Sequence, residues 1–585
     1  MSPKDASLPL MITDKSLVAG ASVAMYLHNY KEGVKFIVRS SECFKKRRIF
    51  VKTNQVQKSP KMMNKYFVAL FMILSALCFT SAATKDYSHL IFPKPDQKIC
   101  LVRAIENGDK NILAGKIIET TDPVHEMIMK DLNLPFHQSL IKLNQCSRNL
   151  SGNSEGPNVL FISADEGGFS RTGLELMDSS GRRTAFPALN YVDLVLDVER
   201  VEQGDLDIFS HELGHVMMNN IMSGFMQNAP KRMTSKQHVS MGVTDYYTAF
   251  FEGWAIHFEC SANDIEKYKR NFDDRYRYNR ILSALWHSTI DRELRITGVK
   301  QNRFIHQKLM PQVLPEKNMT VEEMILWEHT SPVFDVARLR NGQQMMSSEG
   351  MLASLFYQIN SNKALQAHYR DDEFYRAFLI QPLPKGISPE EIFSPYENVV
   401  LKNFYVWHLL KKNPIFDEKP VFTEFVRVWC ESFPEDKKEL LEIFINLTSG
   451  MTVTPELGEV YENTAHAGAV GNYFSFMEMM KKYREIIKGV FPKVTENLDL
   501  LDANVGPELW IENKKFQIRR SLWVADIKTN LNVNINTASV YDLASFPGMV
   551  MERAEEVIKK RRESGYFRSL AEARKAGWDP EERIR

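Results

Sequence analysis

The stretch that most constrains the fold is Ser210-His211-Glu212-Leu213-Gly214-His215-Val216. It is an H-E-x-x-H pattern inside Ile208–Met218, a run with no charged residue besides Glu212. The run has helical character, and on a helix positions four apart lie one turn apart on one face. His211 and His215 therefore present two imidazoles to the same point. Zn²⁺ suits such a pair, because it takes nitrogen ligands at about 2.0–2.1 Å and prefers four-coordinate geometry. Glu212 leans toward the same side, where a carboxylate can accept a proton from a metal-bound water. The apolar flanks fit a helix that packs in a core beneath its site.

A catalytic site of this kind needs three protein ligands and an open position. Downstream, Ala249-Phe250-Phe251-Glu252-Gly253-Trp254-Ala255-Ile256-His257-Phe258-Glu259 reads as a second buried helix, apolar nearly all round, with Glu252 and Glu259 on one face. A carboxylate there is costly unless it is paired or binds a metal. Glu252-Gly253-Trp254-Ala255 with Glu259 resembles the E-G-[FW]-A…E segment of the gluzincin metallopeptidases, the group containing thermolysin and aminopeptidase N. The resemblance spans roughly Asn158 to Glu259 and is carried by the two helices. It implies an α+β fold: a zincin (thermolysin-like) catalytic domain with a large helical C-terminal part. It also implies Glu252 as the third Zn²⁺ ligand, and Glu259 as a carboxylate behind the ligands. An oxyanion-stabilising Tyr or His is expected downstream, with His238, Tyr246, Tyr247, His287, His329 and Tyr357 as candidates. The His215–Glu252 interval is longer than in the two prototypes, so residues 222–246 are expected to loop out. No G-x-M-E-N-like segment precedes the motif, which points to internal cleavage or an unfamiliar specificity.

Composition adds few limits. The 585 residues leave room for about three or four domains, and 44% hydrophobic with 25% charged residues is a globular mix. A formal net charge of +1 gives no whole-chain electrostatic case for nucleic acid or membrane. None of the six cysteines is spaced as in a zinc ribbon. Cys100 and Cys146 either pair in an oxidising compartment or stay as buried thiols.

Residues 1–61 show poor periodicity and a basic cluster, Lys45-Lys46-Arg47-Arg48. Lys61-Met62-Met63-Asn64-Lys65, the apolar run Tyr66 to Phe79 and Ser81-Ala82-Ala83 then have the anatomy of a secretory signal peptide. We expect translation to start at Met62 or Met63, residues 62–83 to be the signal peptide, and residues 1–61 to be absent from the mature protein. The apolar run is short for a span of about 20 residues, so no stable membrane insertion is expected after cleavage. Residues 84–155 form an N-terminal region with no chemistry of its own, and residues 156–525 the zincin domain with its helical subdomain. Within that domain, Asn158–Ser163 and Thr172–Met177 read as strands, and Asp178-Ser179-Ser180-Gly181 as a turn. Asn190 to Val198 is β-rich. In the resembling enzymes an edge strand at this place pairs with extended substrate. After Glu259 the pattern is helical, including Tyr268 to Arg295. Glu349 and Tyr357 either line the cleft or sit satisfied in the core. Thr464 to Gly471 reads as a small-residue loop, a lid or a connector.

Residues 530–585 are different. Ser539-Val540-Tyr541-Asp542 fits a capping box, a short helix ends at Phe546-Pro547-Gly548, and a second helix runs Met551 to Arg562 and stops at Gly565. Ser569-Leu570-Ala571-Glu572 fits another box. The run resembles a small, all-α helix-hairpin-helix domain of the ComEA type, found in exported bacterial DNA-uptake proteins. The resemblance implies backbone contact to DNA phosphate, without base readout, at Pro547, Gly548, Met549 and Val550. Lys559, Lys560, Arg561 and Arg562 are the neighbouring cations. The family pattern has a second glycine where this chain has Val550, and a β-branched residue resists the positive φ that glycine permits.

Together these readings describe an exported bacterial zinc metallopeptidase, periplasmic or secreted. It would hydrolyse a peptide or protein substrate with a zinc-activated water and Glu212 as base, and its C-terminal module would either bind DNA non-specifically or dock the enzyme on a surface protein. The alternative is an exported DNA-binding or adaptor protein with a non-catalytic zincin domain.

Overall fold

The computed structural model describes residues 24–30, 33–39, 48–49, 86–106, 112–153, 156–163, 168–196, 207–225, 240–265, 293–310, 319–412, 419–519 and 528–580. The signal-like segment 62–83, the candidates His238 and His287, most of the interval 222–246 and most of Tyr268–Arg295 lie outside them. The chain divides into two units, 1–86 and 87–585. In the first, β1 (Ala24–Tyr30), β2 (Gly33–Arg39) and β3 (Arg48–Ile49) form an antiparallel sheet in the order β1-β2-β3. The poor periodicity of this segment did not mark the sheet, because its strand-favouring residues Tyr26, Leu27, Phe36, Ile37 and Val38 are adjacent rather than alternating.

The second unit starts with strands and continues with helices. β4 (Cys100–Ile105), β5 (Leu113–Ile117), β6 (Val159–Ile162), β7 (Gly168–Met177) and β8 (Arg183–Leu194) close into a barrel in the order β4-β5-β7-β8-β6. Alternate residues fill it: Cys100 and Val102, Val159 and Phe161, Leu174 and Leu176, Leu189 and Tyr191. The interior is narrow enough that a Cβ on Gly115 would stand 2.3 Å from Val102 and 2.6 Å from Phe161. The opposite strand faces, with Leu101, Leu160, Ile162, Val192 and Leu194, join the main core of the unit.

That core is helical. Its N-terminal helices are α1 (Pro123–Leu132) and α2 (Pro135–Ser151), the latter stopped by Gly152 at φ 72°. α3 (Asp207–Ile221) and α4 (Tyr246–Ile265) carry the two sequence motifs. Around them pack α6 (Glu349–Ser361), α7 (Pro395–Lys412), α8 (Val421–Ser432) and α9 (Lys437–Leu447), whereas α5 (Val321–Thr330) packs on the C-terminal module. β9 (His306–Lys308) and β10 (Phe334–Leu339) pair as a separate small sheet. α10 (Glu456–Ala469) and α11 (Tyr473–Glu496) form a helical hairpin. The loop expected at Thr464–Gly471 is therefore mostly the end of α10. Leu457, Val460, Thr464 and Ala467 fall three or four apart and are buried, which is a helical face.

Two domain expectations are corrected. β4 pairs with β6, Cys100 opposite Val159, so a boundary at 155/156 would cut one barrel in half. The C-terminal module is not all-α either. β11 (Trp510–Arg519) and β12 (Lys528–Asn534) form an antiparallel hairpin whose Ile518, Leu531 and Val533 share one core with α12 (Val540–Ala544), α13 (Met551–Ser564) and α14 (Leu570–Lys575). Ile325 of α5 completes that core. Cys100 and Cys146 are separate buried thiols. No helix of the described residues is long and apolar enough to cross a membrane.

Candidate metal centre

α3 and α4 cross where their sequences allow the closest approach. A Cβ on Gly214 would meet the Ala255 Cα at 3.1 Å and the Phe258 ring at 3.0 Å. Trp254 Nε1 donates to the Gly214 carbonyl at 3.1 Å. On its other side α4 is pressed onto α6: a Cβ on Gly253 would stand 2.7 Å from Leu352 Cβ and 3.0 Å from the Ala353 nitrogen. The small residues of H-E-L-G-H and E-G-W-A are thus the contact points that bring the polar residues together.

At the crossing His211, His215 and Glu252 converge. The two Nε2 atoms are 3.1 Å apart, and Glu252 Oε2 lies 3.5 Å from that of His211 and 3.3 Å from that of His215. A tetrahedral ion bonded at about 2.0–2.1 Å sets its ligands about 3.3–3.4 Å apart, so the donor set fits zinc. His211 Nδ1 donates to Glu259 Oε1 at 2.7 Å, which turns its Nε2 toward the cluster. Arg295, in helical residues 293–300, donates to Glu259 Oε2 at 2.6 Å. The His215 ring stacks on Phe251, centroids 4.0 Å apart. Glu212, Glu252 and Glu259 are gathered around the two imidazoles, with the Arg295 guanidinium behind them.

Electrostatics separate the carboxylates. Burial raises Glu212 above the ordinary carboxylate range; His211 and His215 pull it down, while Glu252 and Glu259 add to the rise. Burial also raises Glu259, but Arg295 and His211 outweigh it and hold its carboxyl at about 2. For His211 burial opposes the charge, and the hydrogen bonds to Glu252 and Glu259 overcome it, to about 10.

β7 passes beside this centre. A Cβ on Gly168 would lie 3.0 Å from Glu212 Oε1 and 2.7 Å from Ile208 Cγ2, and Asn219 Nδ2 donates to Ser170 Oγ at 3.2 Å. Among the described residues, β7 from Gly168 to Thr172 is laddered to β8 alone; β5 joins only from Leu174. Of the two readings of Asn190–Val198, edge strand or ordinary core strand, the second fits Val192 to Leu194 of β8, which are held by β6 on one side and β7 on the other; among the described residues the unpaired edge is that of β7.

Of the described oxyanion candidates, Tyr246 directs its hydroxyl to the Gly506 carbonyl at 2.9 Å. Tyr247 is buried against Phe225, and His329 is buried against Gly242. Tyr357 is half-buried against the core, and Glu349 is buried at the start of α6. Sequence reasoning missed Arg295 and Gly168. Neither lies in a motif, and only the fold brings them to the site.

The start of α4 ties the centre to the C-terminal module. Asp245 caps it, accepting from the Tyr247 and Thr248 nitrogens at 3.0 and 2.8 Å. Glu508 Oε1 accepts from the Tyr246 nitrogen at 3.1 Å. Asn536 in turn donates to Pro507 O at 3.1 Å and Phe567 O at 2.8 Å. Segment 506–508 is thus a strap between α4 and the module.

In the module, the Ser539–Asp542 capping box is present and Ser569 caps α14. Gly548 has φ 77°, while Val550 is extended at φ −90°, ψ 160°, where a β-branched residue is at ease. Gly548 and Val550 are exposed, Pro547 is half-buried and Met549 belongs to the core. A helix-hairpin-helix family matches here, over residues 529–575. Residues 529–575 are a helix-hairpin-helix motif. No curated protein and no solved structure matches the chain.

The four cations of the motif do not form one face. Lys559 is exposed, and Lys560 is exposed with Glu556 at 3.8 Å and Glu563 at 3.2 Å. Arg562 pairs with Glu462. Arg561 is corrected from phosphate neighbour to structural residue: it is buried, and its Nη1 donates to the Ile535 and Ala538 carbonyls at 2.8 Å each.

Proposed function

We propose that the chain is an exported, zinc-dependent metallopeptidase of gluzincin type whose helix-hairpin-helix module contacts DNA backbone. The observation that carries the enzymatic part is the set of donor separations, 3.1–3.5 Å, among His211, His215 and Glu252. Two further features support it: Glu212, which burial raises in pKa as suits a base, and the open edge of β7 alongside. When bound, zinc supplies Lewis-acid polarisation and lowers the pKa of a water toward about 7. Glu212 takes the proton from the attacking water and returns it to the leaving amine. Glu259 and Arg295 hold His211 in the tautomer that leaves Nε2 free. The backbone of Gly168–Thr172 aligns an extended peptide by strand addition, and exposed Ile208 offers apolar contact beside Glu212.

The test is bound zinc and casein cleavage by the full chain, with and without Glu212→Gln. Zinc in both with cleavage only in the parent is expected, the loss being about a hundredfold or more. Absence of zinc from the parent would remove the reading. Zinc without cleavage in either would favour the adaptor alternative.

The DNA part rests on the motif and on the exposed hairpin at Gly548 and Val550. The full chain is expected to bind duplex DNA in a salt-dependent way, and neutralising Lys559, Lys560 and Arg562 together should flatten that dependence. No binding at low salt would eliminate it. Export rests on residues 62–83 and is tested by mass spectrometry of the native N-terminus; a peptide from residues 1–61 would overturn it.

A further inference from the structure

The turn between α10 and α11 is the most apolar exposed point of the second unit. Val470 is 61% exposed, Tyr473 66%, Phe474 85% and Met477 47%. The end of the hairpin packs on itself: the nearest atoms to a Cβ on Gly468 belong to Phe476, and the Tyr473 and Phe474 rings meet edge to face with centroids 6.1 Å apart. The residues of α11 that are fully buried, Val490 and Val494, lie in its last two turns. An apolar surface at the end of a helical hairpin is convex, so a protein partner would need a matching pocket, whereas a fluid phase needs none.

Charge selects among fluid phases. No carboxylate occurs between Glu462 and Glu478. Phe474, Met477, Lys481, Arg484 and Lys488 recur at steps of three and four, so one exposed stripe of α11 changes from apolar to basic away from the turn, although Lys481 lies 3.8 Å from exposed Glu485. At 1.5 Å per residue, Lys481 lies about 10 Å and Arg484 about 15 Å behind Phe474. That matches an interface in which apolar groups sink about 5–10 Å to the acyl boundary and cations stay among the headgroups.

We propose that the α10–α11 hairpin docks end-on into an anionic lipid bilayer, with Val470, Tyr473, Phe474 and Met477 in the acyl boundary, Lys481 and Arg484 at the phosphates, and Lys488 behind them in the surface potential. This is independent of the metal centre and of the fate of residues 62–83.

The test places a reporter at the turn of the full chain. Phe474→Trp is mixed with vesicles of equimolar phosphatidylcholine and phosphatidylglycerol carrying brominated acyl chains. Its emission is compared with that of the parent, so that the difference reports the turn alone. Quenching of the added indole is expected, weaker with phosphatidylcholine alone and weaker with added salt. The pair Tyr473→Ser with Phe474→Ser, exposed and so harmless to the core, should lower vesicle affinity about tenfold or more in flotation. An unquenched indole at every lipid concentration overturns the proposal. So does self-association by sedimentation that the serine pair abolishes, which would assign the turn to a second copy of the chain.

Discussion

Glu212 and Glu259 are both buried carboxylates near His211, yet their surroundings drive them apart. Glu212 is raised chiefly by burial, whereas Glu259 is held at about 2 by Arg295 and His211. On the proposed function Glu212 is a base only when ionised, so kcat/KM should fall as pH drops through its pKa, with bound zinc assayed at each pH. A rate that stays flat down to the pH at which zinc is lost would deny Glu212 the role. Glu259→Gln should keep the ligands but release His211 from its orientation, weakening zinc about 10–100-fold in a chelator competition; unchanged affinity would count against the triad. The ligands were legible because helix periodicity puts H-x-x-x-H on one face and because a buried Glu252 demands a partner. Arg295 was not legible, since nothing local marks a guanidinium that serves a carboxylate on another helix. Arg561 was misread for the related reason that a cation in a basic run looks solvated until its carbonyl partners are in place.

The elements owe their positions to backbone approach as much as to side-chain filling. Gly253 has no room for a methyl group against α6, while Gly489 on α11 has nothing within 4 Å. Gly253→Ala should destabilise by about 1–3 kcal/mol, and Gly489→Ala should stabilise by about 0.5–1 kcal/mol through helix propensity. Thermal unfolding of the two variants beside the parent checks both signs, and equal shifts would mean that α4 and α6 are not pressed together. The strands at 159–162 and 168–177 were foreseeable from their composition, as was the turn at 178–181. The pairing was not, because barrel closure joins β4 to β6 across more than fifty residues and no local pattern records it. The end of α10 was read as a loop from its glycines and alanines; alanine is a strong helix former, and its buried face lies against partners distant in sequence.

At the scale of the molecule, the helix-hairpin-helix module is built into the body. Asn341 Nδ2 and Gln344 Nε2 donate to the Asn536 and Thr537 carbonyls at 3.0 Å each, and Ile325 enters the module's core. Arg561→Ala, which strips two carbonyls of their donor, should cost about 2–5 kcal/mol. It should lower the melting temperature of the full chain, in contrast to neutralising Lys559. A melting curve identical to the parent's would return Arg561 to the surface role. The strap at 506–508 has a consequence for the order of events during synthesis. His211, His215 and Glu252 have all been synthesised once residue 252 is added, but Glu508, which holds the start of the helix bearing Glu252, comes more than 250 residues later. A chain interrupted before that point owns every donor atom and lacks the clasp that steadies one of them.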